Sequence, residues 1–169
     1  MKNLQSNEFA PYYANYIKLV AEQDIVKGLN VQKEELIHFF KSIPTFKQEY
    51  SYAEGKWTIK DILLHLIDAE RVFAYRALRI ARNDSTALPG FEEDDYVIFA
   101  NANQREFESL LQEYKLVREA TIALFESFNE EALLRLGMAS DCSVSVRAIG
   151  YIILGHELHH KNVILERYL

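Results

Sequence analysis

Four long segments of the chain repeat apolar residues at helical spacing, and this pattern limits the fold more than any other feature. They cover residues from about 24 to 43, 58 to 82, 102 to 127, and from Ser143 or Ser145 to the C-terminus. Each segment has one apolar stripe, which must be buried against other helices. The pattern therefore predicts an all-α protein, a four-helix bundle.

Composition supports this prediction and narrows the function classes. The 169 residues suffice for a single domain, 1–169, and contain only 6 Gly and 3 Pro, too few for a turn-rich all-β fold. The net charge of −6 argues against a nucleic-acid partner. No apolar run reaches the roughly 20 residues of a membrane span. The N-terminus lacks a signal-peptide core and Cys142 is the only cysteine, so we expect a cytoplasmic protein.

The segments between the predicted helices are of unequal length. Residues 11–20 are aromatic and apolar, which predicts a short arm or helix packed on the bundle. Thr58 is a predicted N-cap, with Asp61 in the place of a capping-box acid. Residues 83–99 are predicted to be a loop, in which the acidic run 92–95 is solvated. Long connections allow a bundle that is not simply up-down-up-down, and spacing alone does not order the helices.

The last predicted helix carries the most informative functional signal, the string GHELHH. His156 and His160 are four residues apart, so their imidazoles lie on one face of a helix, and the neighbours on that face are apolar. His65, inside the second helix, borders an apolar stripe and is a reasonable third ligand if the two helices are adjacent. A His156–His159 pair is also possible geometrically. Spacing alone gives metal ligation and a structural role about equal weight.

Three strings of the sequence resemble the DinB/YfiT-like superfamily of metal-binding four-helix bundles. They are GKWTIKDILLHLIDAERVFAYRALRIAR, LPGFEEDDYV and SVRAIGYIILGHELHHKNVILERYL, in that order along the chain. The resemblance implies an up-down-down-up helix order and often a homodimer. It also implies a divalent metal, usually zinc or nickel, held by His65, His156 and His160.

The resemblance also implies a function. Characterised members include S-transferases that use low-molecular-weight thiols, so we expect a metal-dependent S-transferase that acts on a small-molecule substrate, with a thiol cosubstrate. A metal-dependent hydrolase and a non-catalytic metal-binding or ligand-binding bundle are the alternatives. Asp61, one turn before His65, either orients that ligand or only caps its helix. Arg76 either binds a substrate carboxylate or pairs with Asp68 or Glu70, the latter being favoured.

Overall fold

The computed structural model describes residues 4–20 and 24–169, and these are mostly helical. Four long helices form the bundle, and three short helices and one hairpin surround it. The long helices are α2 (Ile25–Lys41), α3 (Ile59–Ala81), α5 (Phe107–Glu126) and α7 (Val146–Arg167); the short ones are α1 (Ala14–Lys18), α4 (Glu93–Ala100) and α6 (Glu130–Leu134); the strands are β1 (Leu136–Ala139) and β2 (Cys142–Ser145).

The helix order is up-down-down-up, as the resemblance implied. Helices α3 and α5 both begin at one end of the bundle, where the Thr58 hydroxyl lies 2.9 Å from the Asn103 side-chain oxygen. Helices α2 and α7 both end there: Lys41 pairs with Glu108 at 3.7 Å, and the Tyr168 hydroxyl donates to the carbonyl of Trp57 at 2.7 Å. Helix α3 packs against both α5 and α7, which brings His65 next to the two histidines of α7.

The predicted starts of α3 and α7 are confirmed, whereas α5 begins at Phe107, five residues after the predicted residue 102. Thr58 accepts a hydrogen bond from the backbone N–H of Asp61, whose carboxylate accepts one from the backbone N–H of Thr58, which is a complete capping box. Of the two candidate caps for the last helix, Ser145 is the one used, and it accepts from the N–H of Ala148 at 3.0 Å. Each cap satisfies a backbone donor that the first helical turn leaves free.

Two connections differ from the sequence prediction. Residues 83–99 are not all loop, since α4 begins at Glu93 with three acidic residues in its first turn, where they favour the positive end of the helix dipole. Residues 136–145 form an antiparallel hairpin, turned by Ser140 and Asp141 at positive φ. Four-residue strands lack enough alternation to be distinguished from a coil, which is why the sequence did not reveal them.

The arm at residues 11–20 packs on α7, as predicted, and α7 approaches it closely at Gly155. A Cβ atom there would lie 2.0 Å from the carbonyl oxygen of Tyr16, so only glycine permits this contact. The arm is also held at its start by Glu8, which is 5% exposed and pairs with Arg147 and Ser145. The arm thereby places its tyrosines beside α7.

A buried ionic network joins three of the long helices. Arg118 of α5 is 0% exposed and donates to both carboxylate oxygens of Glu70, at 2.9 and 2.7 Å. It also donates to Glu157 of α7, which accepts from the Tyr114 hydroxyl at 3.0 Å. Burial raises the pKa of Glu157 to about 7.

Among the described helices, none is long and apolar enough to cross a bilayer.

Candidate metal centre

Three histidines from two helices converge on one point near the end of the bundle. His65 comes from α3, and His156 and His160 come from α7, one turn apart. The Nε2 atom of His156 lies 3.0 Å from Nε2 of His65 and 3.1 Å from Nε2 of His160. The α3–α7 contact therefore brings together the three residues that the sequence analysis selected as ligands.

The donor set fits a divalent metal ion. One ligand nitrogen from each histidine lies within 4.8 Å of the others. Nitrogens at tetrahedral positions around zinc, at about 2.0–2.1 Å from it, are about 3.4 Å apart, so small ring rotations would complete the geometry. Three imidazoles supply three ligands and leave a fourth position, the arrangement typical of catalytic rather than structural sites.

The environment keeps the three imidazoles neutral, the form that binds metal. Burial lowers the pKa of His65 to about 4, although Asp94 opposes the shift. Burial, with the neighbouring histidines, lowers the pKa of His160 to about 3 and that of His156 well below its ordinary value. Neutral imidazole nitrogens that face one another at 3 Å cannot all find hydrogen-bond partners for their lone pairs and N–H groups. A cation between the three nitrogens would bind the lone pairs and remove this cost.

Aromatic rings hold the histidines in place. The Trp57 ring centroid lies 4.7 Å from that of His65, and Tyr16 and Phe73 contact the His156 ring at 5.5 and 6.1 Å. Such contacts restrict the rotamers of the imidazoles, which is what a preorganised site requires. His159 packs on Tyr16 and is not a member of the cluster, so the structure favours the His156–His160 pair over His156–His159.

One cavity of about 270 Å³ reaches His156 from the surface. Its walls come from the arm, from α3, from the turn of the hairpin and from the start of α4. Most of the residues that line them are aromatic or acidic, and besides His156 they comprise Tyr12, Tyr13, Tyr16, Ala69, Phe73, Phe91, Glu92, Glu93, Asp94 and Ser140. The cavity gives a small molecule access to His156, one of the three candidate ligands.

Asp61 acts as a helix cap in the structure. Its Oδ2 accepts from the backbone and hydroxyl of Thr58, at 2.9 and 2.7 Å, and both carboxylate oxygens lie 3.3 Å from the Asn103 amide nitrogen. It also lines a small space of about 10 Å³ beside His65. That volume is about the minimum for one water molecule, through which Asp61 would reach the ligand.

Arg76 does not form the ion pair that the sequence analysis favoured. Asp68 pairs with Arg71 and Glu70 with Arg118, whereas Arg76, 4% exposed, donates to the carbonyl of Pro89 at 2.7 Å and to the Ser140 hydroxyl at 3.0 Å. The prediction failed because the loop before α4 folds back over α3. Arg76 lies behind Phe73 and Phe91, with its guanidinium on both rings, and is not among the residues that line the cavity.

The sequence analysis missed the residues that form the cavity wall. The acidic run is exposed, as expected, but Glu92, Glu93 and Asp94 also line the cavity. The tyrosines of the arm were predicted to pack on the bundle, and none was assigned to a cavity. The one available signal was their density, since PYYANY has three tyrosines within six residues.

Cys142 starts β2 and lines a separate space of about 20 Å³, so it is not part of the candidate metal centre.

A four-helix bundle with an up-down-down-up order and a buried cluster of three histidines defines the structural class. The chain belongs to the DinB superfamily, whose family model matches residues 29–164. No curated protein matches the sequence.

Two solved structures share the fold. YfiT from Bacillus subtilis, described as a probable metal-dependent hydrolase with an unusual four-helix bundle topology, has a TM-score of 0.72 and 12% identity, over 97% of this chain and 90% of that chain. A DinB-like protein, YjoA, also from Bacillus subtilis, has a TM-score of 0.60 and 22% identity, over 85% of this chain and 88% of that chain.

Proposed function

We propose that the protein is a metal-dependent enzyme in which His65, His156 and His160 hold a divalent ion, zinc or nickel, at the floor of the cavity. The observation that carries this proposal is the cavity at His156, because a substrate in the cavity would lie against one of the three candidate ligands. When bound, the ion lowers the pKa of a water or thiol at that position and produces a nucleophile at neutral pH.

Transfer of a small thiol to an electrophilic substrate is the first candidate reaction, and it comes from the family resemblance. The thiol would be a cosubstrate, because Cys142 lies outside the cavity. The aromatic wall would bind the apolar part of the electrophile, and the buried histidines would keep bulk water away from the reacting atoms.

Hydrolysis is the second candidate, and one observation favours it. Glu93 and Asp94 line the same cavity as His156, and a carboxylate there can accept the proton that a water molecule loses. The structurally similar YfiT is described as a probable metal-dependent hydrolase, which agrees with this alternative.

The first experiment measures the metal content of protein purified without an affinity tag. We expect about one ion per chain in the wild type and loss of the ion in His65→Ala, His156→Ala and His160→Ala. His159→Ala is the matched control, since it changes the neighbouring residue on α7 and should keep its metal. Circular dichroism checks that each variant is folded. A wild type that takes up neither zinc nor nickel would refute the proposal.

The second experiment separates the two reactions. Metal-loaded protein is mixed with one activated electrophile and one activated ester, with and without a panel of small thiols. Turnover of the electrophile that requires both metal and thiol supports S-transfer, whereas ester cleavage that requires metal alone supports hydrolysis. Equal rates in wild type and His65→Ala would mean that the histidines do not act in either reaction.

A further inference from the structure

The acidic side of the cavity is not neutralised by the protein. Within residues 4–20 and 24–169, none of the four acidic residues 92–95 forms an ion pair with a basic side chain. Partial burial, with the charges of Asp94 and Glu92, raises the pKa of Glu93. Three carboxylates therefore line the cavity next to one another, and no basic side chain of the described residues pairs with them.

The carboxylates share the cavity with the tyrosines of the arm and with one candidate ligand. Glu92, Glu93 and Asp94 line the same space as Tyr13, Tyr16 and His156. No lysine or arginine lines this cavity, and the guanidinium of Arg76 lies behind the Phe73 and Phe91 rings, where it donates to the Pro89 carbonyl and the Ser140 hydroxyl. The carboxylates are therefore the charged side chains that a ligand in the cavity would contact directly.

The tyrosines of the arm give the cavity the aromatic surface that an organic cation requires. The rings of Tyr12, Tyr13 and Tyr16 meet edge to face or tilted, with centroids 5.2 to 6.3 Å apart, and Phe73 meets Tyr13 at 6.1 Å. Clustered rings of this kind bind ammonium groups through their electron-rich faces, most strongly where water is excluded. At about 270 Å³, the cavity suits a small molecule.

We propose that the substrate carries an ammonium group, primary to quaternary, which the cavity holds between the tyrosines of the arm and the carboxylates of Glu93 and Asp94. This inference rests on the proposed function for the identity of the reacting end, which would lie at the three histidines. The other explanation for the carboxylates is that they only balance the charge of the metal ion, and the experiment must separate the two.

The test compares two probes of the same shape, choline and its neutral isostere 3,3-dimethylbutan-1-ol, by NMR titration of the metal-loaded full chain. We expect choline to bind at least about tenfold more tightly than the isostere, with the difference decreasing in high salt. Equal binding of the two probes, or no binding of choline, would overturn the proposal.

Variants assign the effect to the two walls. Glu93→Gln combined with Asp94→Asn should abolish the preference for choline, and Tyr12→Leu should weaken choline binding, because Tyr12 is 66% exposed and can be replaced without unfolding the protein. Asp95→Asn is the matched control, since it removes the same charge from α4 at a residue that does not line the cavity. Loss of the preference in Asp95→Asn as well would indicate a general surface field and overturn the proposal.

Metal affinity, measured in the same variants, separates the two explanations. If the carboxylates bind the ligand, Glu93→Gln with Asp94→Asn retains its metal and loses the preference for choline. If they serve the metal, the same variant loses metal affinity while any choline preference is unchanged, which overturns the proposal. Choline preference in metal-free His65→Ala would show that the cavity binds cations even if the metal-dependent function is wrong.

Discussion

Replacing Arg118 by methionine should destabilise the protein strongly at neutral pH and much less at acidic pH. Because burial raises the pKa of Glu157 to about 7, the positive charge of Arg118 mainly compensates Glu70. In Arg118→Met, the Glu70 carboxyl, 4% exposed, would have to take up a proton to remain buried.

The free energy needed to protonate the Glu70 carboxyl sets the size of the expected destabilisation. An ordinary glutamate with a pKa of about 4.3 costs about 4 kcal/mol to protonate at pH 7 and about 2 kcal/mol at pH 5.5. The first figure agrees with the roughly 3–5 kcal/mol lost when one partner of a buried ion pair is removed. We therefore expect the stability difference between wild type and Arg118→Met to be about 4 kcal/mol at pH 7 and to decrease by about 2 kcal/mol at pH 5.5.

Urea denaturation of the wild type and the variant at both pH values measures these differences. Arg71→Met is the matched control: its partners, Asp68 and Glu113, lie nearer the surface and Arg71 is 49% exposed, so it should lose less than about 1 kcal/mol. Adding Glu70→Gln to Arg118→Met should remove the pH dependence. An equal loss at pH 7 and 5.5 would mean that Arg118 contributes packing rather than charge compensation, and would refute the reasoning.

Three further predictions concern the histidines, the arm and the cap of α3. Because burial lowers the pKa of His65 and His160 to about 4 and 3, the unfolded chain takes up protons first as the pH falls below 6.5, and metal-free protein should lose about 2 kcal/mol per histidine by pH 5. Glu157, whose pKa is raised to about 7, takes up its proton first in the folded state and offsets about 2 kcal/mol of this loss, so a net loss remains and a flat urea midpoint between pH 7 and 5 would contradict it. Gly155→Ala should displace the arm from the carbonyl of Tyr16 and cost about 1–3 kcal/mol, seen as faster proteolysis within residues 4–20; protection equal to wild type would show that α7 can shift instead. Thr58→Ala should cost about 1 kcal/mol in thermal or urea unfolding, through loss of the capping box, and an unchanged midpoint would show that water replaces the hydroxyl.

The long helices could be predicted from the sequence because each signal was local. Apolar spacing located all four helices. Thr58 marked the start of α3 to the residue, and Ser145 was one of two candidates for the start of α7. Helix α4 was missed because it has eight residues and no buried side chain, so that it has no apolar stripe to detect. The hairpin was missed for a related reason: its strands have four residues each, and their pairing with Leu88 is not visible in sequence.

The candidate metal centre was predictable to the extent that its histidines shared a helix. His156 and His160 are related by spacing alone, but His65 needed the adjacency of α3 and α7, which came from the family resemblance and not from periodicity. Arg76 shows what spacing along one helix cannot predict. Its position on α3 suggested the acids of its own helix as partners, but the loop carbonyl of Pro89 and the Ser140 hydroxyl, from chain segments 13 and 64 residues away, accept its hydrogen bonds.

The cavity illustrates why a ligand set is easier to predict than a substrate. The three ligands lie on two rigid helices, whereas the cavity wall combines the arm, the start of α4 and the turn of the hairpin. Each of these is short, and each is placed by a few tertiary contacts: Gly155 with Tyr16 and Glu8 with Arg147 for the arm, and Arg76 with Pro89 and Ser140 for the other two. Changes in these segments can therefore alter the cavity wall while α3 and α7 keep the three histidines together.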